Sequence, residues 1–130
     1  MNERPYSRSA RIGYIALAWL FAVAVGIQTF VAGLSLFVDS SQWSLHAGLA
    51  RFLAFVPLLM IVLAWSARMP AIMVWRSAAL LGMVIGMFLT AILSSRIGFL
   101  SALHPVIALM LLLGTANILR SSRHPVVPAS

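Results

Sequence analysis

The chain has no cysteine, no lysine and only two acidic residues, Glu3 and Asp39, among 130 positions. The missing cysteine excludes disulfides, thiolate metal centres, iron–sulfur clusters and C-x-x-C-H haem attachment, so any cofactor must rely on other ligands. No nucleophile–base pair, carboxylate dyad or phosphate loop is present, which leaves a hydrolytic enzyme without residues to do the work. The same shortage of acids weighs against small multidrug transport, which fits the chain's size but needs a carboxylate inside the membrane. Glu3 lies in the basic N-terminal stretch and Asp39 in a polar break.

Charge in general is scarce. Charged residues make up 8% of the chain, hydrophobic ones 62%, and mean hydropathy is +1.04; soluble domains carry about 25% charged residues. A chain this short has too little interior to hide so much apolar surface, so lipid is its expected solvent. All nine basic residues are arginine, and the net charge of +7 would suggest nucleic acid if it formed a continuous face. Instead the arginines sit in short clusters between apolar runs, which is the pattern of membrane topology and excludes nucleic acid as a partner.

Four apolar stretches run from about Ile12 to Val38, Leu45 to Ala67, Ala71 to Leu93 and Phe99 to Leu119. Each is near the roughly 20 residues that a helix needs to cross a bilayer. The connections "DSSQWS", "RMP" and "SSRIG" are too short for folded domains, so consecutive helices are antiparallel neighbours. The predicted fold is all-α: one membrane-embedded antiparallel four-helix bundle over 1–130, with residues 120–130 as a polar tail. Arg4, Arg8, Arg11, Arg68, Arg76, Arg120 and Arg123 fall on one side, against Arg96 and the deeper Arg51 on the other. That bias places both termini in the cytoplasm, as in a multi-pass protein of a bacterial plasma membrane. The first span is too long for a signal-peptide core and reads as a retained helix. Trp43, Trp65 and Trp75 lie near span ends, where indoles favour the headgroup zone.

Helix association in lipid depends on close backbone approach and polar contacts. The third span offers Ala78, Gly82, Gly86, Thr90 and Ser94 at i+4 spacing, and the first span offers Ala18, Ala22 and Gly26. These rows read as packing seams, either within the bundle or, through the third span, in a homodimer or larger membrane complex. Met83 and Met87 beside the row read as flexible packing rather than thioether ligands.

Polar groups at membrane depth are costly and mark function by default. Here they are Gln28, His46, Arg51, His104 and Asn117. Ser44 and Ser101 are the expected N-caps of the second and fourth helices, which puts His46 and His104 in first turns at similar depth. Those helices are diagonal partners, so both imidazoles can converge on the bundle interior and hold haem b iron as a bis-histidine pair. The helix N-termini would favour neutral imidazole at both places. Separate structural roles, or contact with a proton path or quinone, remain open for the same two residues. Arg51 lies about 7 Å deeper than His46 and about 140° around the helix, reaching a haem propionate, Asp39 or lipid phosphate only by snorkelling. Gln28, about 13 Å inside the first span, is the better candidate for a bond across helices, whereas Asn117, near the other end, is expected to cap or meet water. Pro105 suits a first helical turn, and Pro57 should kink the second helix. His124 belongs to the tail.

The pattern Gln28, Ala32, Gly33, Leu34 closing the first helix, and Leu103, His104, Pro105, Val106, Ala108, Leu109 opening the fourth, resembles a family of small bacterial four-helix membrane proteins. More loosely, the layout is similar to one half of haem A synthase. That resemblance implies haem held by histidines near the extracytoplasmic side, at the positions of His46 and His104. Leu45 and Ala47 flank His46 where the catalytic half would carry a glutamate and a histidine–arginine pair, so a haem carrier is implied rather than a synthase. The competing expectation is a non-catalytic accessory subunit docked through the third span.

Overall fold

The computed structural model describes residues 7–122, and everything it contains there is helix or connection, with no strand. Glu3, Arg4, Arg123 and His124 lie outside the described residues. The first helix, α1, spans Arg8–Phe37 and starts at Ser7, whose side chain accepts a hydrogen bond from Ala10 N at 3.1 Å. That bond satisfies one of the amides that every helix start leaves open. Tyr14, Ala18, Phe21 and Val25 are its buried face, at the alternating spacing that keeps side chains on one stripe.

The second span is two helices in series, α2 (Trp43–Leu53) and α3 (Phe55–Ser66), broken at Ala54. Pro57 is the cause: it has no N–H to offer Leu53, and its ring crowds the preceding turn. The third span is α4 (Ala71–Leu93), the fourth α5 (Leu103–Ser121), and short 3₁₀ turns, Ser40–Gln42 and Gly98–Ala102, precede α2 and α5. Those turns correct the expected caps. Ser44 lies inside α2 with its hydroxyl on Ser41 O, Ser101 lies inside the second turn with its hydroxyl on Gly98 O, and neither caps a helix with its side chain. Asp39 caps the first turn instead, accepting from Ser41 N at 2.9 Å and from Ser41 Oγ at 2.6 Å. Hydrogen bonds from Ser41, on both atoms, hold its carboxyl below the ordinary carboxylate range. Pro105 is the third residue of α5, inside the first turn, where a missing N–H costs little.

Each span packs on its chain neighbours, and α5 closes the ring against α1; α1/α4 and α3/α5 are the diagonals. The interior is filled by Tyr14, Phe21, Met60, Leu80, Val84 and Leu111, with smaller residues between them. At one end Tyr14 crosses the diagonal, donating from its hydroxyl to Met73 O at 3.1 Å and meeting Ser77 Oγ at 2.8 Å. Beside it the Arg11 guanidinium donates to Ser122 O and Arg76 to Ser121 Oγ, tying α1 and α4 to the end of α5.

All four spans are long and apolar enough to cross a membrane, with mean hydropathy 1.9 to 2.2, yet only 11% to 28% of each span's most apolar window is buried inside the bundle. Side chains such as Phe30, Phe52, Leu59 and Ile92 point outward. Exposed apolar surface on this scale identifies a multi-pass membrane protein whose outer surface is solvated by lipid.

The small-residue rows face the bundle interior only in part: Ala18 and Thr90 are buried. A Cβ added at Gly82 meets nothing within 4 Å, and neither does one at Gly26; both lie on outer surfaces rather than in seams between helices. Ala78 is half-buried, Gly86 faces Ile107 Cδ1 at 3.7 Å, and Thr90 is buried. Each i+4 step rotates about 40° around a helix, so a long row of that spacing winds off any single face. The close approach lies at Gly114 on α5, where an added Cβ would stand 3.2 Å from Leu80 Cδ2 and 3.5 Å from Met83 Cε.

Candidate functional site

The end of the bundle opposite Tyr14 brings together His46 from α2 and His104 from α5. Their ring centres are 6.2 Å apart, with planes inclined by 54°. Trp43, one turn before His46, stands edge-on to it at 5.6 Å. The two histidines meet although no Cα of α2 comes within 8 Å of α4 or α5. Side chains alone bridge the space between these backbones.

Each imidazole is fixed from behind. His46 Nδ1 lies 3.2 Å from the backbone oxygen of Gln28, and Gln28 Nε2 donates back to His46 O at 3.0 Å. A carbonyl only accepts, so His46 Nδ1 carries the proton. His104 Nδ1 lies 3.2 Å from Thr90 Oγ1, whose hydroxyl donates to Met87 O at 2.9 Å. The threonine proton is thereby committed, its oxygen accepts, and His104 Nδ1 carries the proton as well. Both rings are held in the tautomer whose bare Nε2 lone pair is available as a ligand, the arrangement in which an outer hydrogen bond orients a metal-bound histidine.

The local donor set has one further member. Gln28 Oε1 is buried without a hydrogen-bond partner. Two imidazole Nε2 atoms and an amide oxygen thus make this end of the bundle rich in acceptors, and His46 and His104 are both half-buried. An arrangement of this kind suits a Lewis acid or a hydrogen-bond donor. No group of three or more histidines, cysteines or carboxylates exists among the described residues, so a metal ion held by side chains alone would lack its usual ligand number.

Arg51 does not join this cluster. It is exposed in the last turn of α2, and Asp39 spends its oxygens on Ser41. Asn117 is exposed near the other end, with its backbone oxygen accepting from Ser121. Thr90, legible in the sequence only as one of a row of small residues, is the partner of His104. Trp43, legible as an interfacial anchor, is also an aromatic wall of the site. The Tyr14–Ser77 pair had one available signal, a tyrosine at the start of one apolar run and a serine in the first third of another.

No curated protein and no solved structure matches the chain. The model of a family of unknown function, DUF6220, matches residues 28–96. That segment begins at Gln28, takes in Trp43, His46 and Thr90, and ends before His104. It covers more than half of the sequence, and the chain belongs to the DUF6220 family.

Proposed function

We propose that this protein binds one b-type haem between its second and fourth spans, with His46 and His104 as axial ligands, for electron transfer or haem handling. The reading is carried by one observation: two facing imidazoles, 6.2 Å apart between centres, each with Nδ1 committed to a protein acceptor and Nε2 left bare. The similarity of the layout to half of haem A synthase points the same way. Haem, when bound, supplies a one-electron redox centre. The chain's own residues orient it: the Gln28 carbonyl and the Thr90 hydroxyl aim the two rings, and Trp43 shields one of them. The arginine bias supports a bacterial plasma-membrane setting with both termini cytoplasmic. Expression with added haem, purification in detergent and a reduced-minus-oxidised spectrum test the reading; a sharp α-band is expected, and its absence refutes it.

A second reading, a non-catalytic subunit that docks a larger membrane complex or a second copy, is favoured by the outward position of Gly82, which leaves room for a close helix. Gly82→Leu should then abolish co-purification of a partner. Unchanged assembly and abundance in that variant would count against it.

A further inference from the structure

The turn between α3 and α4 forms a second feature, unrelated to the histidines. Met69 N donates to Ala64 O at 2.9 Å and Arg68 N to Trp65 O at 3.1 Å, the paired bonds of a helix end that closes through a left-handed residue. That residue is normally glycine. Here it is Arg68, with φ of 52°, the one non-glycine residue with positive φ among those described. Met69 is buried and anchors the turn, while Arg68 is exposed. A cation thus occupies a position whose backbone geometry would favour glycine.

Arg68 lines an open cleft of about 620 Å³ together with Trp65, Ser66, Val74 and Trp75. Both indoles are largely exposed, at 76% and 71%, so they face the surroundings and not the core. The same end of the bundle carries Arg8, Arg11, Arg76 and Arg120, whereas the one acidic residue among those described, Asp39, is at the opposite end. Arg11 and Arg76 are engaged with Ser122 and Ser121. No carboxylate among the described residues is near to neutralise Arg68.

The geometry points to a binding site for an anionic phospholipid in this cleft, its phosphate on Arg68, its glycerol region beside Ser66, and its acyl chains along Val74 and the two indoles. Charge complementarity selects an anionic headgroup over a zwitterionic one. The apolar walls, on a protein with a lipid-facing outer surface, select a membrane lipid over a free phosphate ion. Exposed indoles at headgroup level match the amphipathic boundary of such a ligand.

The substitution that tests this also protects the fold. Arg68→Gly removes the cation but suits the left-handed backbone, so the variant should melt no lower than wild type in lipid-free detergent. Native mass spectrometry of protein taken from phosphatidylcholine nanodiscs doped with phosphatidylglycerol should show a retained phosphatidylglycerol on the wild type. Retention should fall about fivefold in Arg68→Gly and Arg68→Gln, the scale of one arginine at an anionic surface, and stay near wild type in Arg68→Lys. Millimolar inorganic phosphate should not displace the lipid. Equal retention in wild type and both neutral variants, retention of phosphatidylcholine to the same extent, or displacement by phosphate would overturn the assignment.

Discussion

His46 and His104 face each other across 6.2 Å between ring centres while their helices make no backbone approach. Each ring is turned by a different device, a main-chain carbonyl for His46 and a threonine hydroxyl for His104. An apolar pair of the same size would serve packing at least as well, since burying polar groups carries a cost that only satisfied hydrogen bonds offset. On the proposed reading, two histidines whose Nδ1 atoms are committed to protein acceptors serve as ligands.

Thr90 should therefore matter for ligation more than for folding. Thr90→Val keeps the shape but removes the acceptor for His104 Nδ1. Haem affinity should drop roughly 10–100-fold, the range for loss of an outer-shell partner, and Thr90→Ser should restore most of it. Haem titration checks the first effect and a detergent melting curve shows that the fold survives. Equal haem affinity in Thr90→Val would remove the threonine from the site.

At the other end, Tyr14 links α1 to α4 through Met73 O and Ser77 Oγ. Tyr14→Phe should destabilise the bundle by about 0.6–1.7 kcal/mol, between the average and the largest value for hydrogen bonds between membrane helices. The value is read by reversible unfolding in mixed micelles. Because Ser77 Oγ also bonds Met73 O within its own helix at 2.9 Å, Ser77→Ala should cost less than Tyr14→Phe.

Two glycines provide a matched contrast. Gly114→Leu must displace Leu80 and Met83, so it should separate α4 from α5 and lower thermal stability by about 1–3 kcal/mol, the usual cost of overpacking. Gly82→Leu points into open surroundings and should leave monomer stability within about 0.5 kcal/mol of wild type. Melting curves of the two purified variants decide it; similar losses in both would place Gly82 in the interior.

The turn that leads into α2 has its own pH dependence. The hydroxyl and amide of Ser41 lower the Asp39 pKa below its ordinary value of 3.8. A depressed carboxylate contributes its cap above the unfolded pKa and loses it as pH falls through the folded one. The Ser41 amide resonance should therefore stay unchanged from neutrality down to the ordinary carboxylate range and shift only below it, and Asp39→Asn should show the altered turn at every pH. A shift centred above pH 3.8 would contradict the cap.

Span number was legible because hydropathy is a property of the chain itself, and the break at Ala54 follows from Pro57. Caps were misread at Ser44 and Ser101 because each helix is preceded by a 3₁₀ turn, which shifts the start of regular bonding by a few residues. Of the two seams open to Gly82, within the bundle or against a partner, the sequence could not choose, because small size is visible in it while helical phase, which decides whether a residue faces a neighbour, depends on partners. Gly114 was missed for the same reason. At the site, His46, His104 and Gln28 stood out as costly polar residues in apolar runs. Thr90 did not, since a threonine in a helix can satisfy itself on the preceding turn, as its bond to Met87 O shows.

The most direct test is a reduced-minus-oxidised absorption spectrum of detergent-purified protein expressed with haem supply, recorded in parallel for wild type, His46→Ala and His104→Ala. Wild type should show the sharp α-band of a six-coordinate b-type centre at about one haem per chain; each alanine variant should lose that low-spin signature while still melting as a folded helical protein. A wild-type protein without the band, or variants that keep it unchanged, would contradict ligation by this histidine pair.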